Sequence, residues 1–209
     1  MTAMCDVAFL LLSFFILATK FKPPEALSVT TPSSVYTKVA ADQNVVMVIM
    51  DRDGKVYFTV SDKNVSEKEE IIKTINTTKG LNLTPAEMAN FSHNPSAYIG
   101  VPFSQLKSLL DKDPTTLKGV VMPGIPAQDS TNNELRDWVQ AAVAAFQGEK
   151  MAILVKGDDK ATYPSFSGVI WAFKKNDQLK FQLITSPIAA PPGSELEKIQ
   201  AKSGNKLVE

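Results

Sequence analysis

Residues Met151–Thr185, MAILVKGDDKATYPSFSGVIWAFKKNDQLKFQLIT, alternate in a way that settles the fold class. MAILVK is a short apolar run bounded by the loop GDDKATYP, and so reads as a strand. SFSGVIWAFKK has the spacing of an amphipathic helix, and LKFQLIT is again a strand. A strand, a helix and a second strand in this order imply a right-handed crossover and an α/β layer.

Upstream, VVMVIM and KVYFTV flank the turn Asp51-Arg52-Asp53-Gly54, a strong hairpin signal. DRDG resembles the start of a calcium loop. It lacks the third acidic ligand, the Gly at position six and the Glu at position twelve that such a loop needs. Ser66 and Glu69 in SEKEEIIKTINTT predict a capping box at the start of an amphipathic helix. The chain then turns irregular from Lys79, punctuated by prolines, with one short helix predicted over Ser104–Lys112. In ELRDWVQAAVAAF, which follows Asn133, Leu135, Trp138, Val139, Ala142, Val143 and Phe146 form an apolar helical stripe. From Pro187 the chain is Pro-rich and then polar, the composition of a mobile tail.

The 209 residues carry 22 basic and 22 acidic side chains, so the chain lacks the basic excess of a nucleic-acid binder. With one Cys and one His, a disulfide framework and a Cys/His zinc site are excluded. A Ser-His or Cys-His nucleophile pair could use only His93, which falls in the Pro-rich region and reads as a solvent-facing loop residue. Cys5 reads as a small helix-packing residue, Asp158-Asp159 as a solvated turn, and Trp138 and Trp171 as core. No Gly-rich phosphate loop occurs, and nothing reads as an enzyme.

Met1–Thr19, MTAMCDVAFLLLSFFILAT, holds a single charge, Asp6. As a helix it would span roughly 28 Å, close to the thickness of a bilayer's hydrocarbon core. Its nine Val, Leu, Ile and Phe residues favour insertion by about 3–5 kcal/mol, whereas an Asp near mid-helix costs about 2.5–3.5 kcal/mol. Insertion therefore wins over the acid. A cleaved signal peptide needs a basic segment before its apolar run, and a lipoprotein carries its Cys after it; neither fits. Pro23-Pro24 stop the helix, and the polar, Pro-containing stretch to about Asn44 reads as a linker. Lys20 and Lys22 lie on the C-terminal flank, which taken literally places the following domain in the cytoplasm. The simplest reconciliation is a short basic tail preceding this sequence.

Two stretches carry a family resemblance. Thr2-Ala3-Met4-Cys5-Asp6-Val7-Ala8-Phe9-Leu10-Leu11-Leu12 resembles the Asp-Val and Leu-rich signature of the ExbD/TolR family, membrane-anchored subunits of proton-driven motors in Gram-negative envelopes. Val155-Lys156-Gly157-Asp158, Tyr163, Val169, Phe173-Lys174-Lys175 and Phe181-Gln182-Leu183-Ile184-Thr185 are similar to the family's periplasmic ending. Thr31, Pro32 and Ser33, within TTPSS, sit where the family often carries a Pro-containing linker motif. The insertion between Lys79 and Gln147 looks like that of long Bacteroidota variants, and Ala3 stands where many members have Pro.

The combined expectation is an α/β protein with a single N-terminal transmembrane helix (1–20) and a periplasmic linker (21–43). A two-layer α/β periplasmic domain (44–186, insertion about 79–147) and a flexible tail (187–209) would follow. At about 100° per residue, Thr2, Asp6, Leu10 and Ser13 share one helix face. Lipid offers such a polar stripe no partners, so it must face protein or water. A carboxyl group there can take up and release a proton, as proton transport requires; the bland alternative is an acid that hydrogen-bonds a neighbouring helix for assembly. Taken with the resemblance, Asp6 is the expected proton carrier and Thr2 and Ser13 the pore-facing stripe. The resemblance implies an inner-membrane location, a polytopic ExbB/TolQ-like partner, a TonB-like protein as recipient of the motion, a homodimer and no cofactor. The competing class is a membrane-tethered periplasmic binding domain without a proton role, in which the insertion binds a ligand or partner.

Overall fold

The computed structural model describes residues 2–18, 27, 29–34, 43–94, 98–112, 120–127, 131–188 and 193–195. Elements run α1 (Thr2–Ala18), β1 (Ser33–Ser34), β2 (Val45–Met50), β3 (Val56–Val60), α2 (Val65–Lys79), α3 (Pro85–Ser92), α4 (Phe103–Leu110), α5 (Glu134–Ala145), β4 (Ala152–Gly157), α6 (Tyr163–Lys175), β5 (Phe181–Ile184) and β6 (Ser186–Pro187).

β2 and β3 form the antiparallel hairpin, with Val48 opposite Phe58. Gly54 closes its turn at φ +76°, a conformation that disfavours a side chain. β2 pairs in parallel with β4, and β4 in parallel with β5, so the main sheet has the order β3-β2-β4-β5. The final strand, helix and strand thus form the expected β-α-β unit, with β4 and β5 as parallel neighbours.

Alternate sheet residues, Val46, Val48 and Met50 on β2, Phe58 and Val60 on β3, and Ile153 and Val155 on β4, enter one apolar core. Ile71, Ile72 and Ile75 of α2, Leu135, Trp138 and Val139 of α5, and Val169 and Phe173 of α6 meet them there. These helices are buried along one stripe each, as period 3.6 demands. Trp138 lies fully buried at the centre, stacked on Phe58 (5.3 Å between ring centroids) and Phe103 (5.6 Å), with Phe91 tilted against it at 5.9 Å.

Phe91, Phe103 and Trp138 all belong to the stretch between Lys79 and Gln147, which therefore supplies part of the common core. The same stretch caps the free edge of β3. Phe58 and Ile99 exchange backbone hydrogen bonds of 2.8 Å each, and the Ile125 amide donates to Val56 O at 2.8 Å. Asn133 ties it to α6, donating to Gly168 O at 3.0 Å while its side-chain oxygen accepts from Arg136 N at 3.1 Å as the N-cap of α5.

Several local expectations need correction. The capping box predicted at Ser66 and Glu69 does not form; the N-cap is Asn64, two residues earlier, and α2 starts at Val65. The Asn64 side chain instead pairs with Asn44, accepting from its amide (2.9 Å) and donating to its side-chain oxygen (2.8 Å). A capping box does occur at Thr84 and Glu87, opening α3 with Pro85 in its first turn. Trp171 is half-buried, with the Lys175 ammonium 5.5 Å above its ring, so only Trp138 is a core tryptophan. Most of the expected tail lies outside the described residues.

α1 has 17 residues, about 25 Å of helix, and among the described residues no helix is long and apolar enough to cross a membrane. Met1, Thr19 and Lys20, the remainder of the expected span, lie outside the described residues.

Candidate functional site

Asp6 sits in the second turn of α1 and is exposed. Around it Met4, Val7, Phe9, Leu10, Leu11, Leu12, Phe14 and Phe15 are all exposed, so the apolar character runs round the whole helix. Ser13 is half-buried, and its hydroxyl donates to Leu10 O at 2.9 Å, which satisfies it within the helix. Thr2 is the first residue of α1; its side chain lies outside the description. Cys5, expected to pack, is exposed.

Of the other predicted residues, Ser33 opens β1, and Thr31 and Pro32 immediately precede it. Thr31, Pro32 and Ser33 lie in the stretch read as linker, yet Thr30–Ser34 are joined to the end of the α/β domain. β1 pairs in parallel with β6, Ser33 opposite Ser186. Ser186 N donates to Pro32 O at 2.9 Å, Ile188 N donates to Ser34 O at 3.0 Å, and the Thr31 and Ser186 hydroxyls lie 2.6 Å apart. β6 follows β5 after one residue, and β1 begins beside the end of β4, where Asp159 N donates to Thr30 O at 2.9 Å. β1 thus takes the place beside the last strand that β4 leaves when the chain turns towards α6.

Asp158, read as a solvated turn residue, is buried at 7% exposure. Its carboxylate accepts from Lys160 N and from Thr30 N, each at 3.1 Å. Those amides, with Lys160 first, hold its carboxyl below the usual range, and the Arg52 charge adds to the effect. Pattern reading could not have found this role, because Thr30 lies 128 positions away in the chain.

The calcium-like loop uses its acid internally. Asp51 accepts from Asp53 N (2.9 Å), Lys55 N (2.8 Å) and the Tyr57 hydroxyl (3.1 Å). Burial, and then the Asp51 carboxylate, push Tyr57 above its ordinary value. Among the described residues no group of three or more His, Cys, Asp or Glu side chains converges on a common point. His93 is exposed at the end of α3, 3.0 Å from the Ser92 hydroxyl, which also lies near Met88 O and Ala89 O of its own helix. This is a helix terminus rather than a nucleophile and its base. A cavity of about 370 Å³ between Gly54, Lys55 and the Pro123–Ala127 segment has Lys55 as its charged lining residue.

No curated protein and no solved structure matches the chain. The family model described as biopolymer transport protein ExbD/TolR matches residues 1–187. Members of that family are transport subunits rather than enzymes, and the family is associated with the inner membrane and with partners such as ExbB/TolQ and TonB. A match over this much of the 209 residues, from the Asp6 helix through the β-α-β unit and β6, is decisive: the chain belongs to the ExbD/TolR family of biopolymer transport proteins.

Proposed function

We propose that this chain is a single-pass subunit of an inner-membrane motor that uses the proton-motive force to energise TonB-dependent outer-membrane transport, with Asp6 as its proton carrier. The observation that carries this reading is one acid on a helix whose apolar side chains are exposed on all sides. Phe9, Leu10, Leu11, Leu12, Phe14 and Phe15 are each more than half exposed, a surface that water disfavours and that lipid or a surrounding protein would cover. A carboxyl group in that setting persists where it has work to do, since Leu would insert more readily.

In this reading Asp6 takes up a proton within a channel made by a polytopic ExbB/TolQ-like partner and releases it on the other side. Thr2 and Ser13 extend the polar stripe that faces the channel, and the motion passes through the chain after α1 to a periplasmic domain and on to a TonB-like protein. The membrane potential supplies about 2.3 kcal/mol per proton for each 100 mV. The chain acts as a homodimer, so two such helices share the channel.

Asp6→Asn tests this, since it keeps size and hydrogen-bonding capacity and removes titration. The expected result is loss of energised uptake with protein level and membrane insertion unchanged, while Asp6→Glu keeps partial function. A fully active Asn variant would leave Asp6 as an assembly contact and sink the proton-carrier role.

A further inference from the structure

Val120–Pro123 and the neighbouring face of α4 leave an open cleft on the stretch between Lys79 and Gln147. Val121 is 83% exposed and Val120 42%, whereas Ile125 on the same segment is buried. The segment is held from one side: Gly124 N donates to Gly100 O at 2.7 Å, and Ile125 N to Val56 O at 2.8 Å. Among the described residues no hydrogen bond engages the backbone of Val120, Val121 or Met122. Pro123 steers Met122 away from helical conformation, and two β-branched valines precede it. Val120–Met122 therefore have the character of a short, open strand edge. The facing wall is built from Gln105, Ser108, Leu109 and Lys112, which recur at helical spacing along and just past α4. The cleft holds about 130 Å³, and the buried Val101 and Leu109 form its apolar floor. It adjoins the cavity of about 370 Å³ at Pro123, which lines both. Lys112 lines the first and Lys55 the second, and no acid lines either. Lys112 is exposed, and Lys55 has only a marginal ion pair, with Asp53 at 4.0 Å.

We propose that this cleft docks an extended, acidic and apolar segment of a partner polypeptide, which adds as a strand along Val120–Met122. The open edge supplies the backbone donors and acceptors by which an extended peptide is held, and side-chain pockets beside it select the sequence. One aliphatic side chain of the guest enters the cleft over Val101 and Leu109, with the α4 face as its second wall. Acidic residues flanking that side chain meet Lys112 and Lys55. Two lysines and no acid along the lining set the sign of the partner's charge. The same charges disfavour a second copy of this chain as the guest, because two copies joined through this face would oppose lysine to lysine. The edge of β3 is closed to a guest strand by Ile99 and Ile125. The stretch that seals that edge thus presents another in its place. The site lies wholly within the α/β part of the chain and does not depend on the proton-carrier role of Asp6.

The test uses the full chain in nanodiscs and a random peptide library displayed on phage, depleted against empty nanodiscs. Enriched peptides should alternate apolar and polar residues and carry an acid beside the apolar run. A synthetic copy of the most enriched peptide should bind at least about tenfold more weakly to Val121→Pro, which removes a backbone donor at an exposed position. Lys112→Glu should weaken binding about fivefold. Exchanging the peptide's acid for lysine should restore binding to that variant, which a merely structural effect of the substitution would not do. Leu183→Gln, on the exposed edge strand β5, should leave binding unchanged. No enrichment over empty nanodiscs, or a peptide indifferent to both Val121→Pro and Lys112→Glu, would overturn the proposal. Binding lost only in Leu183→Gln would overturn it by placing strand addition at β5. Self-association of the chain that Val121→Pro abolishes would overturn it by assigning the cleft to a second copy.

Discussion

Replacement of Trp138 separates two roles for the stretch between Lys79 and Gln147. If that stretch were an appended module, removing its central side chain would leave the sheet nearly as stable as before. Trp138 is instead fully buried against Phe58 of β3, with Phe91 and Phe103 on its other sides. Trp138→Ala should therefore cost about 3–5 kcal/mol for lost burial and the cavity left behind. Loss of the aromatic stacking adds about 0.5–1.5 kcal/mol. Trp138→Phe behaves differently. Among the described residues the buried indole Nε1–H has no hydrogen-bond partner, a defect worth about 1–3 kcal/mol. Phe removes the defect while giving up volume at a cost of the same order. The Phe variant should thus stay within about 1 kcal/mol of the parent. Urea unfolding of the full chain in micelles, followed by far-ultraviolet circular dichroism, measures both, and Trp171 remains as a single fluorescent reporter in each variant. An Ala variant losing less than about 1 kcal/mol would refute the shared core. A Phe variant as unstable as the Ala variant would refute the unpaired indole.

Two further predictions concern the strand ends. Gly54→Ala combines a positive φ with a Cβ that would overlap the Ser165 hydroxyl, and should destabilise the chain by about 1–3 kcal/mol in the same urea assay. Asp158 has a lowered carboxyl, so its contribution is fully present above the ordinary carboxylate range and is lost as pH falls through its depressed value. Arg52 and Asp159 are the charged groups that face it. Amide exchange at Ser186 and Ile188 should therefore be flat from pH 7 to about 5, once corrected for intrinsic rate, and should rise only under stronger acid. Faster exchange already between pH 6 and 7 would show that a group other than Asp158 controls this attachment.

Short-range pattern alone determined a good part of this protein. The hairpin β2–β3 follows from two apolar runs around an Asp-Gly turn, and α5 from the Leu135-to-Phe146 stripe. The β-α-β unit follows from alternating strand and helix periods. Asp6 stood out for the same reason, as one acid within an apolar run. In all of these the signal lies within a few residues of the element it specifies.

Tertiary structure decided the remainder, because the deciding contact lay far away in the chain. Ser66 and Glu69 have the spacing of a capping box, but Asn64 is drawn to Asn44, 20 positions away, and the helix starts from there instead. α3 and the sealing of β3 by Ile99 and Ile125 were hidden in a proline-rich texture whose apolar residues only find their partners across the fold. The Thr30–Ser34 segment, which holds β1, is polar enough to read as linker. It is ordered because β6, which follows β5, lies outside the main sheet and pairs with β1 instead, with Thr31 meeting Ser186 across 155 positions. Backbone hydrogen bonding of that kind has no side-chain period, and so leaves no mark in the sequence.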